Sequence, residues 1–475
     1  MILTRFYDEK LAQASYLLGC ARSGHAIVID PNRRVGQYID AAEQAGLKLI
    51  AVTETHIHAD FVSGSRELAE RSGARLYLSG AGDANWQYAY AEESGAELLR
   101  EGSVIRIGEI RIDVLHTPGH TPEHLSFVVT DGAVATSPMG VVTGDFVFVG
   151  DVGRPDLLER AVHVAGSAAT SARTLFESLQ RFKTLPDHLQ IWPGHGAGSA
   201  CGKGLSAVPQ STIGYERLFN QAFRFTDEAA FIHEVLSGQP EPPKYFAEMK
   251  RINKMGPPVL GGIRRPVRLP EARLPRLLKD GAFVVDTRTA ADFAAGHVPG
   301  TISLPLNKSF TSWAGWLLPY DRDFYLIIDE RVAPGVEGVV RDLAMIGLDR
   351  IGGFFGAEAV ETWGTSEGPL EVTRQLTLAE LDERRRAGAL VLDVRNGNEW
   401  DAGHIPGAKH IPLGYLPESL AQIPRDVSIV VHCQGGGRSA IAASILQAHG
   451  HKNVQNLGPG FGGYQSAGMP VEGES

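Results

Sequence analysis

Apolar and polar positions in the first half of the chain switch between two signatures. Ile27-Val28-Ile29-Asp30 is a short apolar run, as in a buried strand, and residues 47–53 form another. Between them, residues 40–45 have helical spacing and stop at Gly46. Strands alternating with helices long enough to cover them predict a layered α/β domain. The pattern turns helical from Tyr215 to Leu236, and Gly238 ends it. Gln239-Pro240-Glu241-Pro242-Pro243 follows, and a second Pro/Gly-rich stretch runs from Gly256-Pro257-Pro258 to Arg265-Pro266. Proline fixes φ and lacks an N–H donor, so 239–268 is expected to be a linker wrapping over its neighbours.

The remainder repeats itself. Val284-Val285-Asp286-Thr287-Arg288 returns as Val391-Leu392-Asp393-Val394-Arg395, and Gly296-His297-Val298-Pro299-Gly300 as Gly403-His404-Ile405-Pro406-Gly407. From 286 to 393 and from 297 to 404 the shift is the same, 107 positions. Two tandem copies of one α/β domain are implied, meeting near 364–368. The expected organisation is therefore 1–238, a linker at 239–268, and repeats at 269–367 and 368–475.

Composition narrows the function. The 475 residues carry 45 Lys+Arg against 55 Asp+Glu, a net charge of −10, with both signs interspersed. No polybasic stretch exists to neutralise phosphates, which argues against nucleic acid and anionic membrane. No apolar run is long enough for a bilayer, and the start lacks the basic-then-apolar layout of a secretory leader. Three distant cysteines, Cys20, Cys201 and Cys433, do not make a disulfide framework. A soluble, multidomain, cytoplasmic protein is expected, and a homo-oligomer.

Candidate metal donors cluster in the first domain. Thr55-His56-Ile57-His58-Ala59-Asp60-Phe61 offers two imidazoles and a carboxylate just past a strand. His120 in Thr117-Pro118-Gly119-His120-Thr121, Asp145 in Thr143-Gly144-Asp145 and His195 in Pro193-Gly194-His195-Gly196 lie beside glycine on further loops. This order resembles the metallo-β-lactamase superfamily, an αββα sandwich, and within it the glyoxalase II-like branch with its persulfide dioxygenases. Gly150-Asp151-Val152-Gly153-Arg154-Pro155-Asp156 adds to the match. The resemblance implies iron ligands at His56, His120 and Asp145, with His58, Asp60 and His195 lining the same cavity. Hydrolytic members usually place histidine after the motif aspartate, as a ligand for a second ion; here that position is Phe61. A two-metal mechanism needs both ions. Two imidazoles and one carboxylate with open positions make the facial triad of Fe(II) oxygen chemistry, although zinc accepts the same donors in purified protein. Arg154 has two readings, an anchor for an anionic substrate or a loop ion pair with Asp151 or Asp156.

The last repeat holds a second chemistry. Ile429-Val430-Val431-His432 reads as a strand running into Cys433-Gln434-Gly435-Gly436-Gly437-Arg438-Ser439, after which residues 440–448 look helical. Backbone N–H groups, a helix dipole and Arg438 would all favour thiolate at Cys433, making it a nucleophile. The loop and the segment from about 374 to 470 resemble rhodaneses, which carry sulfane sulfur on cysteine. In the middle copy the corresponding loop is Asp329-Glu330-Arg331-Val332-Ala333-Pro334, without cysteine, so that copy resembles an inactive rhodanese domain. The Asp–Arg pairs 286/288 and 393/395 are expected to pin loops. Cys201, six positions after His195, either presents a persulfide to the metal cavity or is an ordinary loop thiol. Cys20 is expected to be packing.

The fold class expected is α/β: an αββα sandwich followed by two tandem rhodanese-like domains. The resemblance to persulfide dioxygenase–rhodanese fusions implies oxidation of a glutathione, coenzyme A or similar persulfide with O₂ to sulfite at a mononuclear iron. Transfer of sulfane sulfur to sulfite, giving thiosulfate, would follow at Cys433. The alternatives are a dinuclear-zinc thioester hydrolase with a rhodanese module and a non-catalytic sulfur carrier.

Overall fold

The computed structural model describes residues 1–157, 167–239 and 241–473. Its contacts divide the chain into two compact units, Met1–Ile263 with Ala344–Gly347, and Arg264–Leu343 with Leu348–Ser475.

The first unit is built on two six-stranded sheets. One runs in the order β1 (Ile2–Asp8), β2 (Gln13–Cys20), β3 (His25–Ile29), β4 (Lys48–Thr53), β5 (Arg75–Ser79) and β6 (Glu97–Leu99). The other contains β7 (Val104–Ile107), β8 (Ile110–His116), β9 (Leu125–Asp131), β10 (Gly140–Gly144), β11 (Gln190–Pro193) and β12 (Ser211–Thr212), also in sequence order. Every residue of β2 and of β10 is buried, and such strands read as continuous apolar runs because both their faces are covered. Three apolar clusters define the layers. Tyr16, Ile27, Ile29, Ile112, Phe127 and Trp192 fill the space between the sheets. Val28, Val52 and Leu76 face outward onto the helices α1 (Gly36–Gln44) and α2 (Ser65–Ser72). Val141 and Ile191 face Leu175, Leu179 and Phe182 of α3 (Ser167–Phe182). The result is helix, sheet, sheet, helix, the αββα sandwich expected.

The structure resolves two stretches more finely than the sequence pattern does. The helical stretch after Ser211 is three helices, α4 (Ile213–Phe219), α5 (Gln221–Arg224) and α6 (Glu228–Leu236). The Asn220 and Asp227 side chains accept from Ala222 N–H and Ala230 N–H, so each caps a new helix where periodicity alone suggests continuity. The stretch expected as linker contains helix α7 (Tyr245–Met255), bracketed by its two proline-rich segments, and Tyr245, Phe246 and Met249 are buried.

The second unit holds two sheets of matching topology. The first has the order β14 (Ile302–Ser303), β13 (Phe283–Asp286), β15 (Phe324–Ile328), β16 (Ile351–Gly356). The other has β17 (Arg374–Leu376), β21 (Val454–Leu457), β20 (Ile429–His432), β18 (Leu390–Asp393), β19 (Lys409–His410). All pairings in both are parallel. The repeated motifs are scaffolding. Arg288 donates to both oxygens of Asp286 and to the Gly296 carbonyl, and Arg395 does the same to Asp393 and Gly403. His297 donates Nδ1–H to the Phe293 carbonyl and stacks on that ring at 3.8 Å; His404 repeats this on Trp400 at 3.6 Å. No helix among the described residues is long and apolar enough to cross a membrane.

Candidate metal centre and sulfur-transfer loop

The loops after β4, β8, β10 and β11 carry the motif residues and converge. His56 Nε2 lies 3.9 Å and His120 Nε2 3.6 Å from Asp145 Oδ2, and these three donors form one buried group that could hold a metal. Asp60, His195 and Cys201 form a second such group, with His195 Nε2 3.2 Å from Asp60 Oδ2 and 3.4 Å from Asp145 Oδ1. Both carboxylates are buried with neither oxygen hydrogen-bonded. Leaving an ionised carboxylate so placed is costly, so the arrangement fits a cation.

Each histidine that could bind a metal through Nε2 is held through Nδ1. His56 Nδ1 meets Thr55 Oγ1 at 2.9 Å, His120 Nδ1 donates to the Arg154 carbonyl at 3.0 Å, and His195 Nδ1 to the Ala12 carbonyl at 3.0 Å. Such tethers fix ring orientation and raise ligand basicity. The tethers themselves rest on strained backbone: Ala12 (φ 50°) and Asp30 (φ 53°) are the non-glycine residues with left-handed φ among the described residues. Asp30 accepts from Thr55 N–H at 2.6 Å and Thr55 Oγ1–H at 3.0 Å, and its Oδ1 meets His58 Nε2 at 3.1 Å. Gly194 is demanded by close approach, since a Cβ there would sit 2.6 Å from Asp145 Oδ1.

Electrostatics follow burial and neighbours. Burial, reinforced by the His58 charge, holds His56 well below the usual imidazole range, which leaves it neutral as a ligand must be. Burial opposes ionisation of Asp145, yet the facing His195, His56 and His120 hold its carboxyl well below the usual range. Burial also lowers His58, but Asp30 overrides it and His58 is pushed up to about 9. The Cys201 thiol is pushed up to about 12 by burial and the nearby Asp145 charge.

The structure brings His56, His58, His120, Asp145, Asp60, His195 and Cys201 into one buried cluster. Phe61 is buried with its ring 4.4 Å from that of His58 and adds no donor. Of the two readings of Arg154, the contacts match the loop ion pair: Nε and Nη2 donate to Asp156 at 2.8 and 2.7 Å, and Nη1 to the Ala200 carbonyl. Asp151 instead accepts from the N–H groups of Lys203 and Gly204. Sequence reasoning missed the supporting residues. His124 accepts from Asp145 N–H at 3.1 Å, and Glu123 accepts from Ile57 N–H at 2.8 Å. Asn253, on α7, donates to the carbonyls of His58 and Phe61, both at 2.7 Å, and accepts from Ser63 N–H at 2.9 Å. Its only sequence signal was a polar residue in an otherwise apolar face of a helix that proline-rich flanks disguised.

In the second unit, Cys433 follows β20 directly and is 2% exposed. Helix α16 (Gly437–Ala448) begins four residues later, after Gly436 in left-handed conformation. Ser439 Oγ lies 3.1 Å from the Gly436 carbonyl, to which it can donate, and 3.5 Å from Sγ. Phe461 N–H donates to the Cys433 carbonyl at 2.7 Å, and Gly460 (φ 62°) permits this approach because a Cβ would sit 2.7 Å from that oxygen. Arg438 is bidentate to Glu399 at 2.6 and 2.7 Å, so the loop cation has a carboxylate partner that sequence reasoning did not find. Glu399 also caps Asn396 N–H at 3.1 Å, and Asn396-Gly397-Asn398-Glu399 was a readable capping box. Cys20 packs in the core between the sheets.

Residues 9–195 match the family model of the metallo-beta-lactamase superfamily, and residues 377–467 that of the rhodanese-like domain. The chain thus joins a metallo-β-lactamase-fold domain to a rhodanese-like one. A solved structure described as a metallo-beta-lactamase from Staphylococcus aureus is 41% identical, covers 75% of this chain and 99% of its own, and superposes with a TM-score of 0.67. The mouse protein named persulfide dioxygenase ETHE1, mitochondrial, is 30% identical over 228 residues, 46% of this chain and 75% of the mouse protein. Its bovine counterpart is 29% identical over 225 residues. The chain belongs to the ETHE1 persulfide dioxygenase family, in a fusion with a rhodanese-like domain.

Proposed function

We propose that the chain oxidises low-molecular-weight persulfides, of glutathione, coenzyme A or a similar thiol, to sulfite at an iron held by His56, His120 and Asp145, and that Cys433 transfers sulfane sulfur to sulfite. One persulfide, O₂ and water would give the free thiol, sulfite and two protons; sulfite and the sulfur on Cys433 would give thiosulfate and the cysteine thiolate. The observation that carries this reading is the buried triad whose carboxylate lacks a hydrogen-bond partner while the imidazoles are held from behind. Iron bound there would supply redox chemistry with open positions for a thiolate and O₂. The chain's own residues do the rest. Thr55 and the Arg154 carbonyl aim the two imidazoles, and Asp30 anchors both Thr55 and His58. Phe61 keeps a further donor out of the cavity beside His58. At the second centre, the glycine-rich loop and the start of α16 present a positive field to sulfur on Cys433. Ser439 Oγ is within 3.5 Å of that sulfur and would donate to it by turning from the Gly436 carbonyl.

The second donor group, Asp60, His195 and Cys201, supports a competing reading, a two-ion thioester hydrolase. One experiment separates them: reconstitution with iron under anaerobic conditions, then oxygen uptake with glutathione persulfide and product analysis with and without sulfite. The proposal expects O₂ uptake with sulfite as product, converted to thiosulfate when persulfide is in excess. Two bound zinc ions, thioester cleavage and no O₂ uptake would overturn it.

A further inference from the structure

The middle repeat lost its cysteine but kept a cavity. About 710 Å³ of space opens at the carboxyl ends of its parallel strands, where α/β sheets place their ligands. The loops after β13, β14, β15 and β16 all contribute walls. One further wall comes from the other repeat: Gly437, the first residue of α16. The two copies are joined there, since Ser303 N–H on β14 donates to Ser444 Oγ on α16 at 2.9 Å.

The repeated Asp–Arg pairs differ at this mouth. In the last repeat the Phe461 ring covers Arg395 at 3.9 Å and the side chain is 1% exposed. In the middle repeat Arg288 lines the cavity and is 14% exposed. Arg288 is matched by Asp286, and Arg331 by Asp329, so the further carboxylates Asp292 and Glu361 leave the wall net acidic. Asn307 adds an amide, and Leu306, Val332 and Val360 add apolar surface.

We infer that this cavity seats the carrier half of the persulfide that Cys433 attacks: an amine- and amide-bearing, peptide-like thiol of tripeptide size. The inference rests on the sulfur-transfer reading of Cys433. Asp292 and Glu361 suit the ammonium group of such a molecule, Arg288 and Arg331 its carboxylates, and the volume suits its size. Gly437 ties the cavity to the sulfur-transfer loop, because it follows Cys433 by four positions and such a stretch spans at most ~14 Å. With the carrier seated, the Cys433 thiolate attacks the terminal sulfur and the bond between the two persulfide sulfurs breaks. The carrier departs as its thiolate and the terminal sulfur, with its proton, stays on Cys433. No outside oxidant or reductant is needed.

The test measures transfer from glutathione persulfide to sulfite by the full chain without O₂, so that dioxygen chemistry is silent. In Glu361→Lys and in Val332→Trp, KM for glutathione persulfide is expected to rise about tenfold with kcat within about twofold, the sign of lost ground-state binding. With inorganic thiosulfate as donor and cyanide as acceptor, neither variant should differ from the parent. An unchanged KM for glutathione persulfide in both variants, or an equal rise with thiosulfate, overturns the assignment of the cavity. Cys433→Ser in the same assay keeps the two readings apart: transfer surviving in it refutes the nucleophile, whereas a dead Cys433→Ser beside an unmoved KM refutes the cavity alone.

Discussion

Asp145 concentrates the electrostatics of the first centre, facing His56, His120 and His195 at once. Asp145→Ala should leave three imidazoles without their shared counter-charge, and elemental analysis should find the iron gone; full retention would refute its assignment as a ligand. Asn253 offers a subtler probe because it touches no candidate donor atom. Asn253→Ala would strip partners from two buried carbonyls and one N–H of the His56–Ser63 loop, at about 1–3 kcal/mol for each group left unsatisfied. Iron affinity, measured by chelator competition, should fall about 10- to 100-fold, the usual cost of disturbing a support behind a ligand. At the other centre, Cys433→Ser should abolish thiosulfate formation from sulfite while oxygen uptake persists. An equal thiosulfate yield from that variant would remove the cysteine from the mechanism.

Among elements, β20 and the loop it feeds also set a pH dependence. His432, at its last position, is buried and pushed down to about 4 by burial, against about 6.5 in an unfolded chain. The unfolded state therefore binds a proton that the folded state refuses. Stability is full above pH 6.5 and falls as the pH drops toward 4, by on the order of 3 kcal/mol. Acid should lower the unfolding midpoint of the second unit, and His432→Phe should blunt that fall in a urea titration at pH 5. The strand itself was legible from Ile429-Val430-Val431 before a glycine loop, as were β3 and β4, because strands covered on both faces read as short apolar runs. Helix α7 was not legible: prolines on both sides signalled a linker, and only the tertiary fold shows that its apolar face and Asn253 are buried. The same distinction holds within the site. Donor residues announced themselves through spacing and glycine, whereas Asp30, His124 and Glu399 act through contacts made across 28, 21 and 39 positions, which no local pattern encodes.

For the whole molecule, each compact unit carries one of the two candidate chemistries, so ligand effects should be separable. On the proposed reading iron would bind only the folded first unit, and linkage predicts that saturating it to 100 times its dissociation constant adds about 2.7 kcal/mol there. Calorimetry should accordingly show one transition rising on iron addition and another unmoved; a uniform shift of both would contradict the division. The duplication in the second unit has a different consequence. The pins that hold each repeat together, an Asp–Arg bracket and a histidine laid on an aromatic ring, are made by residues outside the stretch between Ile328 and Gly335 in one copy and between His432 and Gly437 in the other. That stretch is where the copies differ, six residues in the first case and four in the second; Glu330 ties it to Arg265 and Arg268 in one, and the Cys433 carbonyl ties it to Phe461 N–H in the other. Transplanting Cys433–Gly436 with Arg438 into the middle repeat should add one reactive thiol to the chain, countable by alkylation against the parent.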